Sequence, residues 1–333
     1  MKLRELGELE LITRLFNIYS RGTDTKSNLF PYDDCAVLDF GTHYILLTTD
    51  LVSEHTHIPR GTSGFQLGWF LMAINLSDLA AKGAVPVGFL NAMALPPELE
   101  VEFIDEVGEG LAACSRAYRT PIIGGDTKSS PEMILTGMAV GQVPKNYFMS
   151  RKGCKPEDIL AVTGELGRAG YALRELEKLP DGEDNSETRK LLLDLVLEVK
   201  PQLWAGQLLG NLGYCHSSID LSDGLGIALH QLAERNQVGF SVDLEKLPTV
   251  PMLKDIEEEL SDEEYEDMML YAGGDYELLI AFNPAYLDTV QSALKQLGVN
   301  LTVIGDVLYD QELVVRTKDT EKPLENKGFD HFK

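Results

Sequence analysis

Apolar residues along this chain recur at two spacings. Leu11, Ile12, Leu15, Phe16 and Tyr19 form a stripe of helical period, and residues 65–81 and 97–118 repeat that period over longer stretches. Between them lie short apolar runs of strand character at 44–50, 87–95 and 133–143. The run Pro121-Ile122-Ile123 stops at Gly124-Gly125-Asp126-Thr127, which predicts a buried strand ending in a tight loop. Residues 151–156 are polar and turn-rich, and a second series begins at Ile159. It has helical patterns at 188–199, 203–212, 225–235, 253–271 and 286–297, and strands at 238–242, 301–304, 313–315 and after Gly273-Gly274-Asp275. This alternation predicts two α/β units of comparable size, 1–148 and 149–333.

Composition narrows the class. A chain of 333 residues with 44% hydrophobic and 25% charged residues has the volume and balance of a globular protein with a large core. Its 53 acids against 29 bases give a net charge of −24, which argues against nucleic acid as a partner, because phosphate binding needs a basic surface. No run has the length of a membrane span or the core of a signal peptide. Cys35, Cys114, Cys154 and Cys215 are far apart without a C-x-x-C pair, so reduced thiols in a cytoplasmic protein are expected.

The chemistry lies in the aspartates. Asp34, Asp50, Asp78, Asp126, Asp220 and Asp223 each stand beside apolar residues, at strand ends or within a helix. Taken singly, each also suits a turn, a helix cap or a solvated face. As a set they would repel one another near low-dielectric walls, and few bases are placed to pair with them. Divalent cations would remove that conflict. Glycines at 124 and 125 would let backbone amides approach a phosphate, with the acid and hydroxyl behind them suited to Mg²⁺. Metal beside such a loop points to phosphoryl transfer.

The motifs Asp33-Asp34-Cys35-Ala36, Thr48-Thr49-Asp50, Asn75-Leu76-Ser77-Asp78-Leu79-Ala80-Ala81, Gly124-Gly125-Asp126-Thr127, Ile219-Asp220-Leu221-Ser222-Asp223-Gly224-Leu225 and Lys327-Gly328-Phe329-Asp330-His331-Phe332 resemble, in order, those of the thiamine-monophosphate kinase family. That family belongs with aminoimidazole ribonucleotide synthetase and selenophosphate synthetase. The resemblance implies an α/β (α+β) fold of two domains: an N-terminal ATP- and metal-binding half whose sheet pairs into a dimer barrel, and a C-terminal α/β sandwich. It implies a homodimer that uses ATP, with Mg²⁺, to phosphorylate thiamine monophosphate to thiamine diphosphate.

By matching motif, Asp34, Thr48, Thr49, Asp50, Asp78, Asp126, Asp220 and Asp223 would hold several Mg²⁺ ions, with Asp50, Asp126 and Asp220 central to catalysis. Gly125, Asp126, Arg151 and Ser222 would contact ATP, while His57 and Phe329 would line the thiamine phosphate pocket. Two positions depart from the family pattern. Tyr32 stands where the family usually has Gly, and Gly274 where it usually has a substrate-side Glu. The rival readings are a related ATP-dependent synthetase, such as aminoimidazole ribonucleotide synthetase, and a nucleotide-binding homologue without turnover.

Overall fold

The computed structural model describes residues 3–19, 21, 30, 32–56, 58–180, 187–256, 259–318 and 320–328. The N-terminal half holds helices α1 (Leu3–Leu6), α2 (Glu8–Tyr19), α3 (Gly64–Ala81) and α4 (Val101–Tyr118). Its strands are β1 (Ala36–Phe40), β2 (His43–Ser53), β3 (Val85–Leu95), β4 (Ile122–Ser129) and β5 (Ile134–Pro144). They form a five-stranded sheet in the order β1-β2-β5-β3-β4, antiparallel except for the β3–β4 pair.

The C-terminal half contributes β6 (Ile159–Thr163), β7 (Cys215–Asp220), β8 (Gly239–Asp243), β9 (Leu278–Phe282), β10 (Leu301–Leu308), β11 (Leu313–Arg316) and β12 (Glu321–Pro323). These pair in the order β12-β11-β8-β10-β6-β9-β7 as a seven-stranded sheet. Helices α5 (Arg168–Lys178), α6 (Glu187–Leu197), α7 (Leu203–Leu212), α8 (Leu225–Asn236), α9 (Pro251–Asp255), α10 (Asp262–Glu266) and α11 (Leu287–Lys295) complete it.

Helix α3 positions the site. Its first turn is set by a capping box: Ser63 Oγ accepts from the Gln66 N–H at 3.2 Å, and the Ser63 N–H donates to Gln66 Oε1 at 3.0 Å. Apolar on almost every side, α3 packs against β2, β3 and β5 of one sheet, against α4, α6 and α7, and against β7 of the other sheet. A central helix of this kind delivers polar residues in its last turns to the seam between the halves.

Two expectations on local structure change. The acidic stretch 253–271 is not one helix: α9 ends, and a new capping box at Ser261 and Glu264 starts α10, which passes into a π-helical turn at Asp267–Tyr271. The Gly124-Gly125-Asp126-Thr127 motif is not a loop after a buried strand. It lies inside β4, an edge strand exposed along its whole length and paired on one side with β3. The four cysteines are free thiols. No helix among the described residues is long and apolar enough to cross a membrane.

Candidate active site

Five chain segments bring acids together where the two halves meet. Asp33 and Asp34 precede β1, Asp50 lies on β2, Asp78 on α3, and Asp220 ends β7, with Ser222 and Asp223 in the turn that follows. Alternation along β2 aims Leu46, Thr48 and Val52 at α3, and Asp50 shares their parity. Asp34, Asp78 and Asp220 each offer a carboxylate oxygen within 4.8 Å of the others'. Hydroxyls orient these groups: Thr48 Oγ1 donates to Asp78 Oδ2, and Ser77 Oγ donates to Asp220 Oδ2 at 2.6 Å. Asp50 Oδ2 is buried without a hydrogen-bond partner in the described structure.

The electrostatics divide the acids into two groups. Burial, then the charge of Asp223, pushes Asp50 up to about 6. Burial, with Asp34 next, pushes Asp220 up to about 7, against the lowering pull of Ser77 and Arg151. Asp78 is driven well above the usual carboxylate range by burial and by Asp50, Asp220 and Asp34. Asp34 moves the other way. Burial raises it, but the charges of Arg151 and Lys82 and their hydrogen bonds outweigh that and hold it low. Arg151 donates from Nε to Asp34 Oδ1 at 3.0 Å and grips it again through Nη2, while its Nη1 donates to Gln231 Oε1 at 2.8 Å.

Lys82 and Asp33 were missed by sequence reasoning; Lys82 and Arg151 serve Asp33 and Asp34. Lys82 Nζ lies 2.6 Å from Asp33 Oδ1 and 2.6 Å from Asp34 Oδ2. The sequence shows only a lysine directly after Ala80-Ala81 at the end of an apolar helix, a position where a solvated lysine is ordinary. Tyr276 was missed as well. Its phenol is pushed well above its ordinary value by burial and then by the charges of Asp50, Asp220, Asp223 and Asp78, while its N–H donates to Leu221 O at 2.9 Å, beside Asp220 in sequence.

Not every expected ligand joins the centre. Thr49 points from the opposite face of β2 and donates its Oγ1 to Gly137 O at 2.8 Å, because a strand turns successive side chains to opposite faces. Gly125 and Asp126 stand apart within this chain. Asp50 pairs with Gly137, Gly137 with Asn91, and Asn91 with Gly125. Three strand spacings, roughly 14 Å, therefore separate that row's ends. Asp126 is 66% exposed and its side-chain partner is Lys128 at 3.6 Å. Gly125 is required by close approach, since a Cβ there would sit 1.9 Å from Asn91 O. His57 and Phe329 lie outside the described residues. Arg151 lines the cavity below and Ser222 accepts the Gly274 N–H at 2.8 Å.

Comparison with known proteins bears on the family and the fold. The family model AIR synthase related protein, N-terminal domain, matches residues 32–143, and AIR synthase related protein, C-terminal domain, matches 155–318. A thiamine-monophosphate kinase of Methanospirillum hungatei is 31% identical over 93% of this chain and 94% of its own length. One from Haemophilus influenzae is 32% identical over 98% of both. The chain belongs to the thiamine-monophosphate kinase family. Its fold matches that of AaThiL complexed with AMPPCP and TMP, with a TM-score of 0.82, 28% identity and 99% coverage of each chain.

Tyr32 and Gly274 both have a positive φ. Tyr32 has a left-handed backbone, φ 64°, a conformation that Gly adopts without cost. Its ring is held between Phe16, at 5.1 Å, and the Arg235 guanidinium, at 4.5 Å. Gly274 has φ 103°, and a Cβ there would press on Ala169 Cβ at 2.8 Å, so this backbone is set for glycine. A cavity of about 840 Å³ opens beside the acids, lined by Tyr32, Asp33, Arg151, Asp223, Gln231, Arg235 and Lys327 among others. Its mixed wall of basic side chains and acids suits a phosphorylated ligand brought with a divalent cation.

Proposed function

We propose that this chain transfers the γ-phosphoryl group of ATP to thiamine monophosphate, giving ADP and thiamine diphosphate, by direct in-line displacement assisted by Mg²⁺. The observation that carries the reading is the gathering of Asp34, Asp78 and Asp220 within 4.8 Å of one another, with Asp50 Oδ2 buried and unpartnered and the carboxyls of Asp50, Asp78 and Asp220 pushed upward by burial and neighbouring acids. An all-oxygen donor set of this charge fits Mg²⁺. Mg²⁺ bound by these carboxylates would neutralise them and screen two polyanionic reactants from each other. Thr48 and Ser77 hold the carboxylates of Asp78 and Asp220 in place. Arg151, fixed by Asp34 and Gln231, presents its charge at the cavity for ATP phosphates. The acceptor is a phosphate oxygen already ionised at neutral pH, so no general base is needed.

In this reading the division of the chain falls at 148/149, and the molecule is a cytoplasmic homodimer joined through its N-terminal sheets. Gly125 and Asp126 on the exposed edge strand then act in ATP binding at the margin of that interface, with Ser222 on the C-terminal side. His57 and Phe329 belong to the thiamine phosphate pocket. The experiment is direct: purified protein, ATP, Mg²⁺ and thiamine monophosphate, with thiamine diphosphate detected by fluorescence after oxidation. Tight ATP binding with no phosphate transferred would favour the nucleotide-binding homologue, for which Gly274 is the supporting feature.

A further inference from the structure

We propose that Lys82 is a built-in counter-cation of the acid centre, occupying the Asp33–Asp34 end in place of a divalent ion. This rests on the reading of the neighbouring acids as cation ligands. Lys82 is fully buried, at 0% exposure, where α3 ends. Three oxygens surround the ammonium: Asp33 Oδ1 and Asp34 Oδ2, each an ion pair at 2.6 Å, and the backbone oxygen of Ser218, which accepts a hydrogen bond at 2.8 Å. A buried ammonium is costly unless paired, and here two carboxylates lie in ion-pair range of it. The C-terminal end of α3 adds the negative end of a helix dipole.

Charge is balanced locally. Asp33 and Asp34 face Lys82 and Arg151, two carboxylates against two cations. Asp33 is tied further by Ser150 Oγ at 3.1 Å and the Arg151 N–H at 2.9 Å. Ser218 lies two residues before Asp220 on β7, so one side chain links the turn before β1 to the strand that carries a presumed cation ligand. The role is positional. Lys82 fixes where Asp34 stands relative to Asp78 and Asp220, and it limits the demand for divalent cations to the acids that lack such a partner.

Counting bound Mn²⁺ by electron paramagnetic resonance, on nucleotide-free full-length protein, tests this without an activity readout. Lys82→Met, close in length but uncharged, is expected to bind one more Mn²⁺ per chain than the unaltered protein. Its melting temperature in EDTA should fall, and its gain on adding Mg²⁺ should be at least twice that of the unaltered protein. Lys82→Arg should keep the original count. The double variant Lys82→Met/Asp33→Asn, which removes one charge of each sign, should restore both the count and the smaller gain. Should Lys82→Met not fold, the double variant decides: its folding with the original count supports the role, and its failure to fold overturns it. An unchanged count and gain in Lys82→Met overturns the inference while leaving the function intact. No Mn²⁺ bound by the unaltered protein overturns both.

Discussion

Along β9 of the seven-stranded sheet, Leu278, Ile280 and Phe282 pack into one hydrophobic cluster and Leu279 and Ala281 into the other, so that this sheet is covered on both faces. The five-stranded sheet has α3 on one side only. On its other side Leu51 is 51% exposed, with Leu90, Met138 and Val140 half-buried around it, and Ile123 on the edge strand is 59% exposed. Apolar side chains left exposed on an open sheet face suit association. The covered sheet is thus an interior in its own right, while the open sheet carries Thr48 and Asp50 on the side facing α3 and exposed apolar side chains on the other. The two meet at the acids, with Asp50 from the open sheet and Asp220 from the covered one.

Truncations on the two sheets should therefore differ most. Phe282→Ala, at a fully buried position, is expected to cost about 3–5 kcal/mol in urea unfolding. Leu51→Ala should cost the isolated protomer under about 0.5 kcal/mol, whereas, in the proposed homodimer, Leu51→Asp should shift sedimentation from dimer to monomer. Equal stability losses for Phe282→Ala and Leu51→Ala would break the contrast.

Next in size is the seam between the sheets. Asp50→Asn should lower turnover by about 10²–10³-fold, roughly 3–4 kcal/mol, as for loss of one preorganised electrostatic group. The melting temperature in EDTA should hold or rise, because a repelled buried carboxylate has been neutralised. Parallel loss of turnover and melting temperature would instead make Asp50 a structural residue.

Glu277 tests the covered sheet from within. Its carboxyl is pushed up to about 7, chiefly by burial, and accepts from Thr163 Oγ1 at 2.6 Å. The folded state holds that proton more tightly than the unfolded one, so its contribution is present at low pH and is lost as pH rises from the ordinary glutamate range through 7. Glu277→Gln, which keeps the acceptor without the charge, should remove up to about 3 kcal/mol of that decline. Melting curves at pH 5 and pH 8 in saturating Mg²⁺ check it; identical slopes for both proteins would refute the assignment.

The parts of this architecture legible in the sequence are those set by local periodicity. Residues 203–212 and the body of α3 follow from helical spacing, and Asp220, read beside apolar residues, is buried, with Asp50 and Asp78 partly so. What was hidden depends on pairing between distant segments. No local rule says that Lys82 reaches Asp33 and Asp34, or that the Gly124-Gly125 pair continues an edge strand because Asn91 passes close by. Thr49 was assigned by motif although strand alternation already turned it away from Asp50. The break at Ser261 was also written locally, as a capping box inside a helical pattern whose acidity drew attention away from it.

The smallest expected effect concerns the loop that ties the covered sheet to the acids. Gly274 donates its N–H to Ser222 O at 2.8 Å, and Gly273 lies close against Asp223, so the approach to β9 is stitched to the turn carrying Asp223. At φ 103° an alanine is strained and meets Ala169, which should cost about 1–2 kcal/mol in urea unfolding. If that strain is absorbed at residue 274, turnover stays near that of the unaltered protein. If the loop shifts instead, Asp223 moves with it, and the Mg²⁺ concentration needed for half-maximal turnover rises. A change in Mg²⁺ requirement would show the acid centre to be positioned by both sheets; stability loss alone would confine the role of Gly274 to the covered one.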